Sequence, residues 1–324
     1  MSNPKRIIGI DIGGTKCAVI YANVTENNID IIAKQKLKTD NDKDPYEIID
    51  GFCELIDNIA NIDEIDAIGI SCGGPLDSKK GIIMRPPNLP KWDDIHIVDF
   101  LKQRYNVPVS LQNDANACAL AEWKFGAGRG TENMIFMTFG TGLGAGLILD
   151  GRLYTGTNDN AGEAGHIRLS ENGPVGYHKA GSFEGFCSGG GLAQLGYTLG
   201  LEAYQAGNCP SYFDPAIAPE GINAKTIADA ADNGDEVAIE VYRKCGEYLG
   251  KGLSILIDIL NPERIVLGSV FKRSHNLLWE PAKKVIEREA LGLSATVCEV
   301  VPAELDENLG DFAAITTAVY CMQR

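Results

Sequence analysis

Two stretches of this chain repeat one short plan, and the repetition narrows the folds open to it. Ile7-Ile8-Gly9-Ile10-Asp11-Ile12-Gly13-Gly14-Thr15 is an apolar run ending in a glycine turn that carries a threonine, and a second apolar run follows from Lys16 to Ala22. From Met134 the plan returns as Phe136-Met137-Thr138-Phe139-Gly140-Thr141-Gly142-Leu143-Gly144, followed by Leu147 to Asp150. Short apolar runs bounded by glycine read as buried strands. Each half of the chain therefore supplies a strand–turn–strand hairpin, and two similar α/β domains presenting those hairpins to one shared cleft are expected. A length of 324 residues leaves room for both, at about 150 residues per domain.

The remaining pattern fills in around the hairpins. Ile29 to Leu37 reads as the third strand of a meander, and Ala67 to Ser71 as a buried strand ending at Gly73-Gly74-Pro75. Between them, Ile48, Ile49, Phe52, Leu55, Ile56 and Ile59 recur at helical spacing. Met84 to Trp92 holds Pro86, Pro87 and Pro90 and must be loop. A helix over Ile97–Arg104, a strand over Val107–Leu111 and a helix over Ala115–Trp123 follow. Asn113 or Asp114 then lies at the N-cap, where unpaired amides favour an oxygen acceptor. Farther on come a long helix from Asp235 to Ile259, stopped by Asn261-Pro262, a strand from Glu263 to Leu267 leading to Gly268-Ser269, and a last helix over Gly310–Cys321. No low-complexity linker intervenes. The expected domains are 1–111, joined by the C-terminal helix 311–324, and 112–310.

Composition removes several function classes. A net charge of −15 argues against a nucleic-acid partner, because phosphate contacts need clustered Lys and Arg. ATP is still open to an acidic protein, since backbone amides and Mg²⁺ neutralise phosphates locally. No apolar run reaches the ~18 residues of a membrane span, and the start shows no signal-peptide pattern. A cytoplasmic protein without membrane contact is expected. The nine cysteines are scattered and never form Cys-x-x-Cys, which suits reduced thiols rather than disulfides or a thiolate metal site.

Glycine lets backbone amides approach a phosphate closely. Neither turn is a Walker loop, because Gly9 to Gly14 is followed by Thr15-Lys16 in the wrong order. Nor do the alternating glycines of Gly140–Gly146 form a dinucleotide fingerprint. A single such hairpin can be purely structural; two, each with a threonine, point to phosphate. Asp11 at a strand end suits a Mg²⁺ or phosphate-water contact, or a simple turn, and Lys16 could neutralise phosphate. Asp114 suits a general base accepting a hydroxyl proton, a role compatible with helix capping. Asn113 beside it can fix a hydroxyl as both donor and acceptor. Glu163 and His166, three apart in a glycine-rich turn, can converge on neighbouring sugar hydroxyls or make a local polar contact.

Taken together, these strings resemble the ROK family of sugar kinases and repressors, within the actin/hexokinase superfamily of ATPases. The resemblance runs from Ile7 to the C-terminus. It rests on Asp11-Ile12-Gly13-Gly14-Thr15-Lys16, Gly73-Gly74-Pro75, Pro87-Asn88-Leu89-Pro90-Lys91-Trp92, Asn113-Asp114-Ala115-Asn116, Gly140-Thr141-Gly142-Leu143-Gly144, Gly162 to His166 and Ile265-Val266-Leu267-Gly268. It implies a two-domain α/β actin-like ATPase (ribonuclease H-like) fold with a cleft between the domains, and a homodimer. It implies Asp114 as catalytic base, with Gly74, Asn88, Asn113, Asp114, Glu163, His166 and Glu184 on the sugar. Asp11, Gly13, Gly14, Thr15, Lys16, Thr141 and Gly142 would serve ATP and Mg²⁺, and Gly268 would lie near the adenosine. The activity implied is ATP-dependent phosphorylation of a hexose at its 6-hydroxyl, glucose foremost. The same scaffold serves fructose, mannose, allose, N-acetylglucosamine and N-acetylmannosamine. A sugar-responsive transcriptional repressor is the alternative from another class, disfavoured by the negative charge and by the few residues before the first strand. A sugar-binding ATPase without transfer is the third.

One segment departs from the family. Most members carry Cys-Gly-Cys-Gly-x-x-Gly-Cys-x-Glu, which binds structural zinc together with the histidine. Here Val175, Tyr177 and Ser182 take the three cysteine places, while Gly176, Gly181 and Glu184 persist. Zinc needs thiolate, imidazole or carboxylate donors, so no zinc is expected, with packing around Tyr177 and Phe183 in its place; His178 is a conceivable replacement ligand, but a single extra histidine reads rather as a surface or packing residue.

Overall fold

The computed structural model describes residues 3–323. They group into two compact units, one comprising the chain up to Glu132, Gly146–Ala161 and the chain from Glu304, the other Asn133–Ala145 and Gly162–Ala303. This division differs from the boundary expected near residue 111: the helix Asp114–Phe125 groups with the first unit. The reason is packing. Ala117 and Ala121 of that helix meet Ala313 of the C-terminal helix Leu309–Met322, and Phe125 meets Phe312 edge to face.

In the first unit the strands Lys5–Ile12, Lys16–Val24 and Ile29–Lys38 form an antiparallel meander. Ala67–Cys72 adds to the free edge of the first strand and Val109–Asn113 adds to Ala67–Cys72, both parallel. Both faces of this sheet are covered, which explains why the first strand reads as an unbroken apolar run. Ile8, Ile10 and Ile12 pack with Phe52 and Ile56 of the helix Pro45–Ile59 and with Leu101 of the helix Ile97–Tyr105. Ile7 packs on the other face with Ile315 and Ala318 of the C-terminal helix. Each such isoleucine contributes about 1.5–3 kcal/mol by leaving water. The helix Pro45–Ile59 begins where Asp44 Oδ1 accepts from the Tyr46 amide at 2.8 Å with proline at the first helical position.

Gly9 and Gly69 face each other across the first and fourth strands. A methyl group at Gly9 would come within 3.1 Å of the Ile315 backbone nitrogen, and one at Gly69 would overlap the Ala314 carbonyl and sit 2.6 Å from the Ala318 nitrogen. The glycine pair thus opens a groove that seats the C-terminal helix directly on the sheet backbone.

The second unit holds three parallel strands, Met134–Met137, Arg264–Leu267 and Glu299–Pro302, with Arg264–Leu267 in the middle. The long helix Glu236–Leu260 packs on the helix His275–Glu289 where Gly246 and Gly250 remove two side chains. A methyl at Gly246 would lie 2.7 Å from Leu278 O, and one at Gly250 2.5 Å from Ala282 O. The helices Gly189–Gln205, Ala224–Asp232 and His275–Glu289 are not legible from spacing. Gly196 and Gly200 thin the apolar stripe of the first, where they make room for Ile227 and Phe213, and Pro281 interrupts the last. The strand expected over Leu147–Asp150 runs from Ala145 to Leu149; Asp150 and Gly151, at φ 51° and 67°, form the tight turn to Arg152–Tyr154.

Candidate active site

The parallel strands of the first unit end in register, and that brings its chemistry together. Ile12 pairs with Cys72, and Cys72 with Asn113. Asp11, the glycines after Cys72, and Asn113-Asp114 therefore emerge side by side at the carboxyl ends of three strands, where open α/β sheets bind ligands. Gly74 abuts Asn113, whose Nδ2 lies 3.1 Å from where a side chain at Gly74 would begin.

The first turn is built by its carbonyls. Thr39 Oγ1 donates to Gly13 O at 2.6 Å, Asn41 Nδ2 to Gly14 O at 3.4 Å, and the Thr39 amide to Thr15 O at 3.0 Å. In a trans peptide the N–H points opposite the C=O. Holding the carbonyls of Gly13 and Gly14 towards residues 39–41 thus turns the amides of Gly14 and Thr15 the other way. Asn88 backs the turn, and a methyl at Gly14 would lie 2.6 Å from its Cβ and 2.9 Å from its carbonyl oxygen. A pocket of about 460 Å³ opens here, lined by Asp11, Gly13–Lys16, Lys34 and Asp311 among others.

Charges in this pocket are coupled. Lys34 Nζ donates to Asp311 Oδ2 at 2.6 Å, and Asp311 is buried in the first turn of the C-terminal helix. Burial first, then the negative charges of Asp311 and Asp114, push Asp11 up to about 6, against the pull of Lys34 and Lys16. Asp114 begins its helix with Oδ1 accepting from the Ala115 amide at 2.8 Å, while the Asn113 side chain accepts from the same amide at 3.0 Å. Its side chain keeps access to water, yet the surrounding protein strips enough hydration to raise its carboxyl above the usual range, with amides of Ala115 and Asp114 opposing. Lys34 and Asp311 were not legible as site residues; the only sequence signals are the Lys34-Lys36-Lys38 alternation and an Asp in an Ala/Thr-rich helix.

The Asp11 shift carries a stability prediction. A folded value of about 6 against 3.8 means that folding takes up a proton. The contribution is complete below about 3.8 and is lost as pH rises through about 6. Asp11→Asn is therefore expected to unfold at a higher temperature than the parent near neutral pH, the gap closing in acid. Thermal unfolding from about pH 4.5 to about pH 8 checks this, and a pH-independent difference would refute it.

In the second unit the turn from Thr138 to Gly144 is closed by its own threonine. The Thr138 amide donates to Gly144 O and the Gly144 amide to Thr138 Oγ1, each at 2.9 Å. The Gly189 amide, at the start of the helix Gly189–Gln205, donates to Gly140 O at 2.7 Å, and the Val270 amide to Phe139 O at 2.9 Å. Thr141 and Gly142 lie at the tip. Glu184 Oε2 accepts from the Leu143 amide at 2.9 Å and would meet a side chain at Gly142 at 2.7 Å. Glu184 therefore anchors this turn. Gly268 follows the middle strand, its amide donating to Met137 O at 3.0 Å. Glu163 precedes and His166 ends the short helical turn Ala164–His166, both exposed, and the His166 amide donates to Glu163 O at 3.1 Å.

The departing segment folds as a hairpin in which Val175 pairs with Ala180 and Gly176 with Lys179. Ser182 is fully buried and caps Phe183–Phe186, its Oγ accepting from the Gly185 amide at 3.0 Å. Phe183 is fully buried, but Tyr177 is 68% exposed. Packing therefore centres on Ser182 and Phe183, and the expected role of Tyr177 is corrected. Tyr177 sits at the hairpin tip with φ 36°, which turns it out of the packed layer. Among the described residues, no group of three or more His, Cys, Asp or Glu is placed to hold a metal ion, and no helix is long and apolar enough to cross a membrane.

Known proteins share this fold and much of this sequence. Residues 7–320 match the ROK family. The chain is 32% identical to a glucokinase of Streptomyces coelicolor, covering 94% of each protein. It superposes on the crystal structure of a ROK family glucokinase from Streptomyces griseus in complex with glucose and AMPPNP with a TM-score of 0.74 and 29% identity, over 97% of this chain and 99% of that one. It is also 29% identical to the DNA-binding transcriptional dual regulator NagC of Escherichia coli, over 85% of this chain and 66% of that protein.

Proposed function

Because the chain belongs to the ROK family and is a sugar kinase with that family's actin-like ATPase fold, we propose that it transfers the terminal phosphate of ATP to the 6-hydroxyl of a hexose, with glucose the preferred substrate. The observation that carries the reading is Asp114. It is a carboxylate pinned through Oδ1, raised in pKa by desolvation, and set at the strand ends beside Asn113 and Gly74. A base is most effective when its pKa approaches the working pH.

The residues take distinct parts. Asp114 accepts the hydroxyl proton as the phosphate is attacked, and Asn113 and Asn88 in the first unit orient the sugar. In the second unit, the exposed Glu163 and His166 are polar groups of the kind that hold sugar hydroxyls. In the first unit the amides of Gly14 and Thr15, with Lys16, suit phosphate oxygens; in the second, taken by itself, the amides at Thr141 and Gly142 suit phosphate oxygens of ATP as well. Asp11 fits Mg²⁺: an oxygen donor whose charge is disfavoured by burial and two like charges gains most from a cation. When bound, Mg²⁺ neutralises charge on the phosphates. Val175, Tyr177 and Ser182 supply no thiolate, which supports a second unit held by packing rather than by zinc; stoichiometric zinc in purified protein would overturn that.

A panel of sugars with ATP and Mg²⁺, scored by kcat/KM for each hexose and N-acetylhexosamine, tests the substrate. Glucose is expected to lead. A lead for N-acetylglucosamine or N-acetylmannosamine would replace it, and operator binding without sugar-dependent ADP release would favour the repressor reading raised by the likeness to NagC.

A further inference from the structure

Ser269 is out of place by backbone standards. It follows Gly268 at the end of the strand Arg264–Leu267 and holds φ 52°, ψ −108°. A residue with a side chain in such a region is strained, and persists only where its surroundings over-determine it. Glycine would adopt this conformation freely.

The side chain that incurs this cost lies against the second glycine turn. Ser269 Oγ is 4.0 Å from where a side chain at Gly140 would begin. The Val270 amide donates to Phe139 O at 2.9 Å, so the backbone on either side of the serine is tied to the same turn. Arg273 Nη2 donates to Ser269 Oγ at 3.0 Å. A hydroxyl has one proton to give and two lone pairs to receive with. With an arginine donating into the oxygen, the proton of Ser269 is free to be given to an acceptor at the turn. Arg273 is itself exposed and, among the described residues, pairs with no carboxylate, although the protein carries a net charge of −15. Its guanidinium holds further donors in a fork suited to phosphate oxygens.

We propose that Ser269 and Arg273 form an additional recognition element for the phosphate chain of the nucleotide, the serine hydroxyl donating one hydrogen bond and the arginine supplying charge and further donors. The proposal rests on the reading that the turn at Thr141–Gly142 engages ATP. It accounts for the strained serine: the conformation puts a hydroxyl where glycine would leave none, and the arginine orients it.

Binding of ADP and of adenosine to the whole protein, measured by calorimetry without sugar, tests this independently of turnover. Arg273→Met is expected to weaken ADP binding about tenfold and to leave adenosine unchanged, and Arg273→Lys to recover part of the loss. Ser269→Gly is expected to raise the unfolding temperature, since strain is relieved, while weakening ADP binding several-fold. Ser269→Ala, which keeps the strain, should weaken ADP equally without the thermal gain. Unchanged ADP affinity in Arg273→Met and Ser269→Ala would overturn the proposal, as would equal losses for ADP and adenosine. If the parent binds ADP as expected yet phosphorylates no sugar, the kinase reading fails and this inference stands.

Discussion

Replacing Asp114 by Asn is expected to lower kcat for sugar-dependent ADP release by ~10²–10⁴, the usual worth of a positioned general base. Asparagine keeps an oxygen that can accept from the Ala115 amide, so the start of the helix Asp114–Phe125 is preserved. Sugar affinity should change only a few-fold, because Asn113 remains to hold the hydroxyl. Stability should hold or rise: a carboxyl lifted by desolvation is disfavoured in its charged form, and the amide has no charge to desolvate. The parent enzyme carries a companion signature. Its base must be ionised, and the raised value places the acid limb of kcat/KM above the ordinary aspartate range. Steady-state kinetics with thermal unfolding of both proteins decides the matter. Full turnover in the folded variant would remove Asp114 from its assigned role.

Gly14→Ala is expected to cost about 100-fold in kcat/KM, through displacement rather than lost chemistry. The added methyl would sit 2.6 Å from Asn88 Cβ and 2.9 Å from Asn88 O, so either the turn or the backbone of residue 88 must move. Both carry function in the proposed reaction, the turn on phosphate and Asn88 on sugar. A misplacement near 1 Å is enough for a loss of that size. The effect should appear in the KM for ATP and for sugar together, which a purely local defect in one subsite would not produce. Activity within a few-fold of the parent would show that Asn88 yields without consequence, and would detach it from the site.

The candidate site was legible wherever its chemistry is local in sequence. Asp11 to Lys16, Asn113-Asp114 and Thr138 to Gly144 are contiguous strings whose turn and cap geometry follows from glycine, threonine and asparagine within a few residues. Parts held by distant partners were not. Lys34 meets Asp311 across 277 residues, and Glu184 reaches the Leu143 amide across 41. Nothing in the spacing of those residues announces the contact. Glu184 thus reads as a sugar ligand by resemblance, and the structure gives its carboxylate a turn to hold. The helices Gly189–Gln205 and His275–Glu289 were missed for a related reason: their glycines and proline answer to neighbours, not to helix propensity.

By itself, then, the chain's order of residues determined that two apolar strand–glycine turn–strand units exist, that a carboxylate opens a helix after a third kind of strand end, and that thiolate zinc ligands are missing from the hairpin at Val175–Ala180. Continuous apolar runs and turn chemistry act over a few residues, so sequence suffices for them. Only the tertiary structure decided that Ile12, Cys72 and Asn113 end level, that the C-terminal helix rests on Gly9 and Gly69, and that the charge of Asp11 is opposed by Asp311 and Asp114. Register, backbone approach and desolvation depend on which atoms surround a group, and those atoms come from segments far apart in the chain.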